Sequence, residues 1–213
     1  MKLTVHTFLT VDGVMQGPGG VEEDPSGGFT RGGWLVPHAD QDMGKIVDGW
    51  FARAEAILLG RTTFVMMRDF WKQITDPDNP AATALNGLPK YLVSNTVTEP
   101  DWNDTTVLSG DGVLAEIARL KERPGGELQV HGSCRLARTL HEAGLVDEYR
   151  LLTFPVAVGA GKRLFTAEAP ATGFRLVESA STSAGATYAA LAPTPFTTGG
   201  IQAVDGKEQL VEG

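Results

Sequence analysis

A single cysteine, Cys134, stands among 213 residues. No disulfide can form within the chain, which fits a reducing compartment. No apolar run approaches the roughly 20 residues of a membrane span. The N-terminal stretch alternates instead of forming the apolar segment of a secretory signal, so a soluble, cytoplasmic protein is expected. Basic residues are short, 18 against 26 acidic ones, for a formal net charge of -8. That balance argues against nucleic acid or an acidic membrane as a partner, while one phosphorylated small molecule needs only a local basic site. Histidine is scarce too, with four in all, and none is spaced with Cys134, a carboxylate or a second histidine as metal ligands are, so no metal is expected. A G-x-S-x-G nucleophile elbow and internal repeats are also missing.

What is present is ordinary globular material, 42% hydrophobic and 21% charged. It suffices for one domain over residues 1–192 with a tail over 193–213. Residues 2–10 read as a strand closed by the Asp12-Gly13 turn signal. Residues 16–33 hold Pro18, Pro25 and seven glycines. This is a long loop, and Val21, Phe29 and the following Trp34 favour a packed, binding loop. Met43, Ile46, Val47, Trp50, Phe51 and Ala54 recur at helical spacing.

A buried-type strand follows at Ala56, then a helix over 62–71 and a strand over 90–94; residues 75–88 between them read as exposed turns. Strands at 105–108 and 127–130 lead into helices at 113–122 and 136–143. The run 146–158 is the longest β-prone stretch, and 174–181 with 187–191 read as a closing hairpin. Alternation through about Leu152 predicts an α/β fold with a largely parallel sheet, helices on both faces and an antiparallel C-terminal edge. The Thr-, Gly- and Gln-rich tail is expected to be disordered or to pack on a partner subunit.

The stretch Ala56 to Phe64, A-I-L-L-G-R-T-T-F, carries the most chemistry. An apolar run of four reads as a buried strand, and Gly60 lets the backbone turn or approach a ligand closely. Arg61 offers a fork of donors that suits phosphate, and Thr62 and Thr63 can donate to an anion at a helix N-terminus. Two more strands end alike, at Ser94-Asn95-Thr96 and Gly132-Ser133. Parallel strands place such ends on one rim, which would form a bed for a dinucleotide.

Six motifs follow in order: Asp12-Gly13-Val14-Met15, the glycine-rich loop to Gly32-Gly33-Trp34, L-L-G-R-T-T-F, Y-L-V-S-N-T, H-G-S-C-R-L and F-P-V-A-V-G-A-G-K-R-L-F. Together they resemble the dihydrofolate reductase-like superfamily over roughly residues 1–191. The branch is that of the reductase domain of the bifunctional riboflavin-biosynthesis deaminase-reductase. The resemblance implies a three-layer dihydrofolate reductase-like fold, an NADPH cofactor, a small heterocycle or sugar-amine as substrate, and a homodimer.

It further implies that Gly60, Arg61, Thr62 and Thr63 hold the adenosine-side phosphates, the 2′-phosphate included. Ser94 and Thr96 would line the adenine end. Gly132, Ser133, Arg135 and Leu136 would meet the pyrophosphate at a strained turn, and Val14, Met15 and Gln16 would lie near the nicotinamide. The loop bearing Phe29 and Trp34 would cover the substrate. Trp34, Pro37 and Asp40 follow one another as a Trp, a Pro and an acid do in dihydrofolate reductases, which makes Asp40 the first candidate proton donor and Asp12 the second. Plainer readings stand beside these: Asp40 as a helix N-cap, Asp12 as a turn residue, His38 and His131 as hydrogen-bonded structural residues, and Lys162 and Arg163 as surface charges or ligands of a substrate phosphate. The alternative to an enzyme is a non-catalytic NADP(H)-binding sensor or sequestering protein.

Overall fold

Six parallel strands form the centre of the computed structural model, which describes residues 1–212. They are β1 (Lys2–Thr10), β2 (Ala54–Gly60), β3 (Lys90–Val93), β4 (Thr105–Leu108), β5 (Glu127–His131) and β6 (Glu148–Phe154), in the spatial order β4-β3-β2-β5-β1-β6. β7 (Gly173–Ser181) and β8 (Thr187–Thr194) extend this sheet beyond β6, with β8 pairing antiparallel to both β6 and β7. The helices are α1 (Gln41–Phe51), α2 (Arg61–Trp71), α3 (Pro80–Gly87), α4 (Val113–Glu122) and α5 (Cys134–Glu142). The expected α/β architecture, with its parallel sheet and antiparallel edge, is what the chain adopts.

β2 explains why a continuous apolar run becomes the sheet's interior. Ala56 and Leu58 pack with Ile117 and Leu120 of α4 and with Leu136 and Leu140 of α5. Ile57 and Leu59 point the other way, into a cluster with Phe64 of α2 and Leu85 of α3. A strand covered on both faces has no solvent side on which to place polar residues. Each fully buried leucine, isoleucine or phenylalanine here contributes about 1.5 to 3 kcal/mol of transfer free energy.

β1 is built differently. Leu3 and Val5 enter the α4–α5 face, whereas Thr4, His6 and Phe8 lie on the opposite one, where the His6 and Phe8 rings meet Trp50 of α1 at centroid distances of 4.9 and 5.8 Å. The register sets Thr4 beside Gln129 and Glu148, and His6 beside His131 and Arg150. A row of polar side chains therefore runs across three strands beneath α1.

Two expectations need correction. Residues 75–88 are not merely exposed turns, because α3 occupies most of their second half. Asn79 caps it by accepting from the Ala82 amide at 2.9 Å, Pro80 suits the first helical position, and Ala81, Ala82 and Leu85 are buried. The segment from 193 does not begin as an irregular tail: β8 runs to Thr194, and β9 (Gly199–Val204) pairs antiparallel with β10 (Lys207–Glu212). Asp205 and Gly206, at φ of 51° and 72°, supply the two positive-φ residues that such a tight hairpin turn requires.

Candidate functional site

β2, β3 and β5 end on the same rim, and their ends open onto one cleft of about 900 Å³. Gly60, Arg61, Thr62, Thr63, Ser94, Thr96, Gly132, Ser133, Arg135 and Leu136 all line it, as do Met15 and Gln16 from the loop after β1. Val14, grouped with these in the sequence, does not; it is fully buried beside the cleft and bridges to Arg163.

The turn after β5 is held by the start of α2. Gly132 and Ser133 both take the left-handed conformation, at φ of 56° and 54°, which for serine costs about 1 to 2 kcal/mol. The Ser133 amide donates to Thr63 Oγ1 at 3.1 Å, and Ser133 Oγ accepts from the Gly60 amide at 3.0 Å. These two bonds stitch the ends of β2 and β5 together, so the N-termini of α2 and α5 stand side by side. The strain expected at this turn is present at Ser133.

Capping separates the helices into two groups. α1 and α3, which start away from the cleft, have side-chain caps in Asp40 and Asn79. α2, α4 and α5 start at the cleft, behind Gly60, Gly112 and Ser133, and none has a side-chain cap. A helix N-terminus presents unpaired N–H groups and partial positive charge, so an uncapped one facing a cavity is an anion site in waiting. Arg61 and Arg135 lie in the first turns of α2 and α5, exposed, and neither makes an ion pair among the described residues. A cation there opposes the helix dipole unless an anion joins it. The residues present thus fit a phosphate-bearing cofactor.

The sequence matches the RibD C-terminal domain family over residues 1–188. The chain belongs to that family. The uncharacterized protein YyaP of Bacillus subtilis is 30% identical over 166 residues, covering 77% of this chain and 80% of that one. Among solved structures, a putative riboflavin biosynthesis protein from Shewanella superposes with a TM-score of 0.64 at 20% identity, over 92% of this chain and all of the other. Dihydrofolate reductase from Enterococcus faecalis, solved with NADP(H), gives 0.57 at 12% identity, over 91% and 97%. The deaminase/5-amino-6-(5-phosphoribosylamino)uracil reductase of Thermotoga maritima gives 0.59 at 13%, with 91% of this chain spanning 56% of that one. The fold is therefore dihydrofolate reductase-like.

In this RibD C-terminal domain the two carboxylates expected to supply a proton do not line the cleft. Asp40 is a cap: one oxygen accepts from the Met43 amide at 2.8 Å and the other from the Ala184 amide at 2.6 Å. Those donors, Met43 foremost, hold its carboxyl below the usual range. Asp12 secures its turn, accepting from the Thr10 hydroxyl at 2.5 Å and from the Gly159 amide at 2.7 Å. Phe29 and Trp34 do not cover the cleft either. They pack with Val14, Leu35 and Phe154, and the Trp34 indole donates to the Gln16 carbonyl at 2.8 Å, so they anchor the loop from beneath.

Gln16 does the same from the cleft side. Its Nε2 donates to the carbonyls of Asp24 and Ser26, both at 2.9 Å, while its Oε1 accepts from the Lys162 amide at 3.0 Å. Lys162 reaches the cleft edge but is paired with Asp24 at 2.6 Å. Phe64, which follows the Gly60–Thr63 turn, is fully buried with its ring 5.4 Å from Trp102.

Sequence reasoning missed the floor of the cleft, made by His6, Phe8, Trp50 and His131. His131 is hydrogen-bonded as expected, 3.0 Å from Gln129 Oε1, yet it also lines the site. Its ring stacks on Phe51 at 4.8 Å and on His6 at 4.9 Å. Burial pushes its pKa down to about 3. Burial, then the neighbouring His131 and Arg150, lower that of His6 as well. Both rings are neutral at physiological pH. The signal for His6 was the alternation of polar Lys2, Thr4 and His6 with apolar Leu3 and Val5, but its meaning depended on the pairing with β5.

Proposed function

We infer that this protein is an NADPH-dependent reductase of a small heterocycle or sugar-amine. The observation that carries the reading is the convergence of three uncapped helix N-termini and two unpaired arginines on one cleft. Arg61, Thr62 and Thr63 would hold the adenosine-side phosphates, the first turn of α5 with Arg135 the pyrophosphate, and Ser94 and Thr96 the adenine end. When bound, the reduced nicotinamide supplies the hydride. Met15 and Gln16, fixed by the loop's anchors, would hold the reacting partners in place, and the aromatic floor excludes water from them. The family and the activity for which the Thermotoga protein is named favour an aminopyrimidine or a pterin-like ring as acceptor. A homodimer and a cytoplasmic location complete this reading.

A second reading, a non-catalytic NADP(H)-binding sensor, draws on one observation: neither candidate carboxylate reaches the cleft. Both readings expect the purified protein to shift and quench NADPH fluorescence. Only a reductase oxidises NADPH when offered pyrimidine or pterin acceptors, followed at the nicotinamide absorbance. Failure to bind NADPH sinks both, and binding without oxidation across such a panel selects the sensor.

A further inference from the structure

Two buried side-chain nitrogens among the described residues have no hydrogen-bond partner, His6 Nδ1 and Trp50 Nε1, and both residues line the cleft. Trp50 also packs against Tyr188, with ring centroids 6.2 Å apart, and its indole N–H is directed at the Tyr188 hydroxyl. No such neighbour explains His6, which is 1% exposed. A bare polar atom in a protein interior is costly and rare. One on the wall of a ligand cleft is explained if the ligand completes it.

The neighbours of His6 determine what kind of group it can meet. Its Nε2 lies 2.8 Å from Thr4 Oγ1. The Thr4 hydroxyl donates to Glu127 Oε2 at 3.5 Å. Glu127 accepts two donors from Arg150, at 2.9 and 2.6 Å, and a carboxylate can only accept. With its proton turned to Glu127, the Thr4 oxygen accepts from His6 Nε2–H. The proton of the neutral ring is then on Nε2, and Nδ1 is left as an unprotonated lone pair.

Gln129 repeats this logic one strand away. Its Nε2 donates to the Trp50 carbonyl at 2.7 Å and to Glu127 Oε2 at 2.8 Å, so its Oε1 accepts from His131 Nε2. One buried carboxylate thereby orients two stacked imidazoles alike.

We propose that His6 Nδ1 is a hydrogen-bond acceptor for the substrate, and that it selects an acceptor molecule presenting an N–H donor to the cleft floor. This rests on the cleft being the reductase site. A hydroxyl could donate as well, but a carbonyl oxygen or ring ether at that point would leave two lone pairs facing each other.

Histidine nitrogen NMR on the full-length protein reads the tautomer without any cofactor. The expected result is a protonated Nε2 and an unprotonated Nδ1 at His6; a protonated Nδ1 overturns the proposal. Because this measurement needs no NADPH, it stands apart from the reductase reading, which a lack of NADPH binding would remove on its own. In a second arm, 5,6-diaminouracil is titrated into protein saturated with NADP+, alongside 5,6-dimethyluracil and 5,6-diamino-1,3-dimethyluracil, in which methyls replace N–H groups. At least one replacement is expected to weaken binding about tenfold in the wild type, the scale of one hydrogen bond. His6→Phe should erase that difference and leave NADP+ affinity unchanged, while His6→Asn, which can present an oxygen near the same place, should retain it. Equal binding of all three uracils to the wild type, or a difference that survives in His6→Phe, overturns the assignment.

Discussion

Replacing Arg61 with alanine removes a guanidinium from the first position of α2, where it is exposed and unpaired among the described residues. Within the chain itself that charge is misplaced, since a cation at a helix N-terminus opposes the dipole by about 0.3 to 1 kcal/mol. A phosphate placed there reverses the balance, because a charge-assisted hydrogen bond contributes about 1.5 to 3 kcal/mol. At about 1.4 kcal/mol per decade, NADPH affinity should fall about 10- to 150-fold. NADH lacks the 2′-phosphate, and its affinity should change by less than about threefold. The folded chain loses no contact, so its melting temperature should stay level or rise by a degree or two. Fluorescence titration with both cofactors, repeated at low and high salt, together with a thermal melt, tests all three points. Equal losses for the two cofactors, or a lowered melting temperature, would refute the reasoning that Arg61 is held in place for an anion.

Asp40→Ala should lower the melting temperature, because the amides of Met43 and Ala184 lose their acceptor, and should leave NADPH affinity unchanged; a fall in affinity would bring Asp40 back to the site. Arg150→Met leaves the buried carboxylates of Glu127 and Glu148 without their shared cation and should cost about 3 to 5 kcal/mol in denaturant unfolding, a cost below 1 kcal/mol being incompatible with the buried network described. Acid should destabilise the fold in two stages. His131 has its folded pKa depressed to about 3 from 6.5, so the stability it carries is complete above pH 6.5 and drains as pH falls below that. The hydrogen bonds to Asp42, chiefly from Ser183, hold it at about 2 against an ordinary 3.8, so its contribution is complete above about pH 4 and is lost as pH falls toward 2. A denaturation midpoint that stays flat from pH 7 to pH 5 would contradict the buried, neutral imidazoles.

Much of the fold was legible because it rests on local patterns. The apolar run Ala56–Leu59, bounded by Gly60, read as a strand covered on both sides and is one, and Val113–Glu122 has the same bounds in the sequence reading and in the structure. α3 escaped notice because Pro77 and Pro80 look like breakers, and only the burial of Ala81, Ala82 and Leu85 shows that Pro80 begins a helix. The hairpin after Gly199 escaped for the opposite reason. Its Asp205-Gly206 turn signal was visible, but the flanking residues are too polar to suggest a strand without the pairing that joins them.

The sequence alone determined where the chain could offer its backbone to an anion, since glycine, arginine and threonine after a buried strand are chemically committed wherever that strand lies. It also determined that Asp40 could cap a helix, because that role needs only the residues that follow it. Tertiary structure decided which of these groups share a space. Only the spatial order of β3, β2, β5 and β1 brings Arg61, Ser94 and Gly132 to one rim and leaves Asp12 and Asp40 off it. His6 acquires its chemistry the same way: Thr4, two residues away, is its hydrogen-bond partner, but the carboxylate that orients Thr4 is Glu127, 123 residues further along the chain, and registers of parallel strands are not written in either strand by itself.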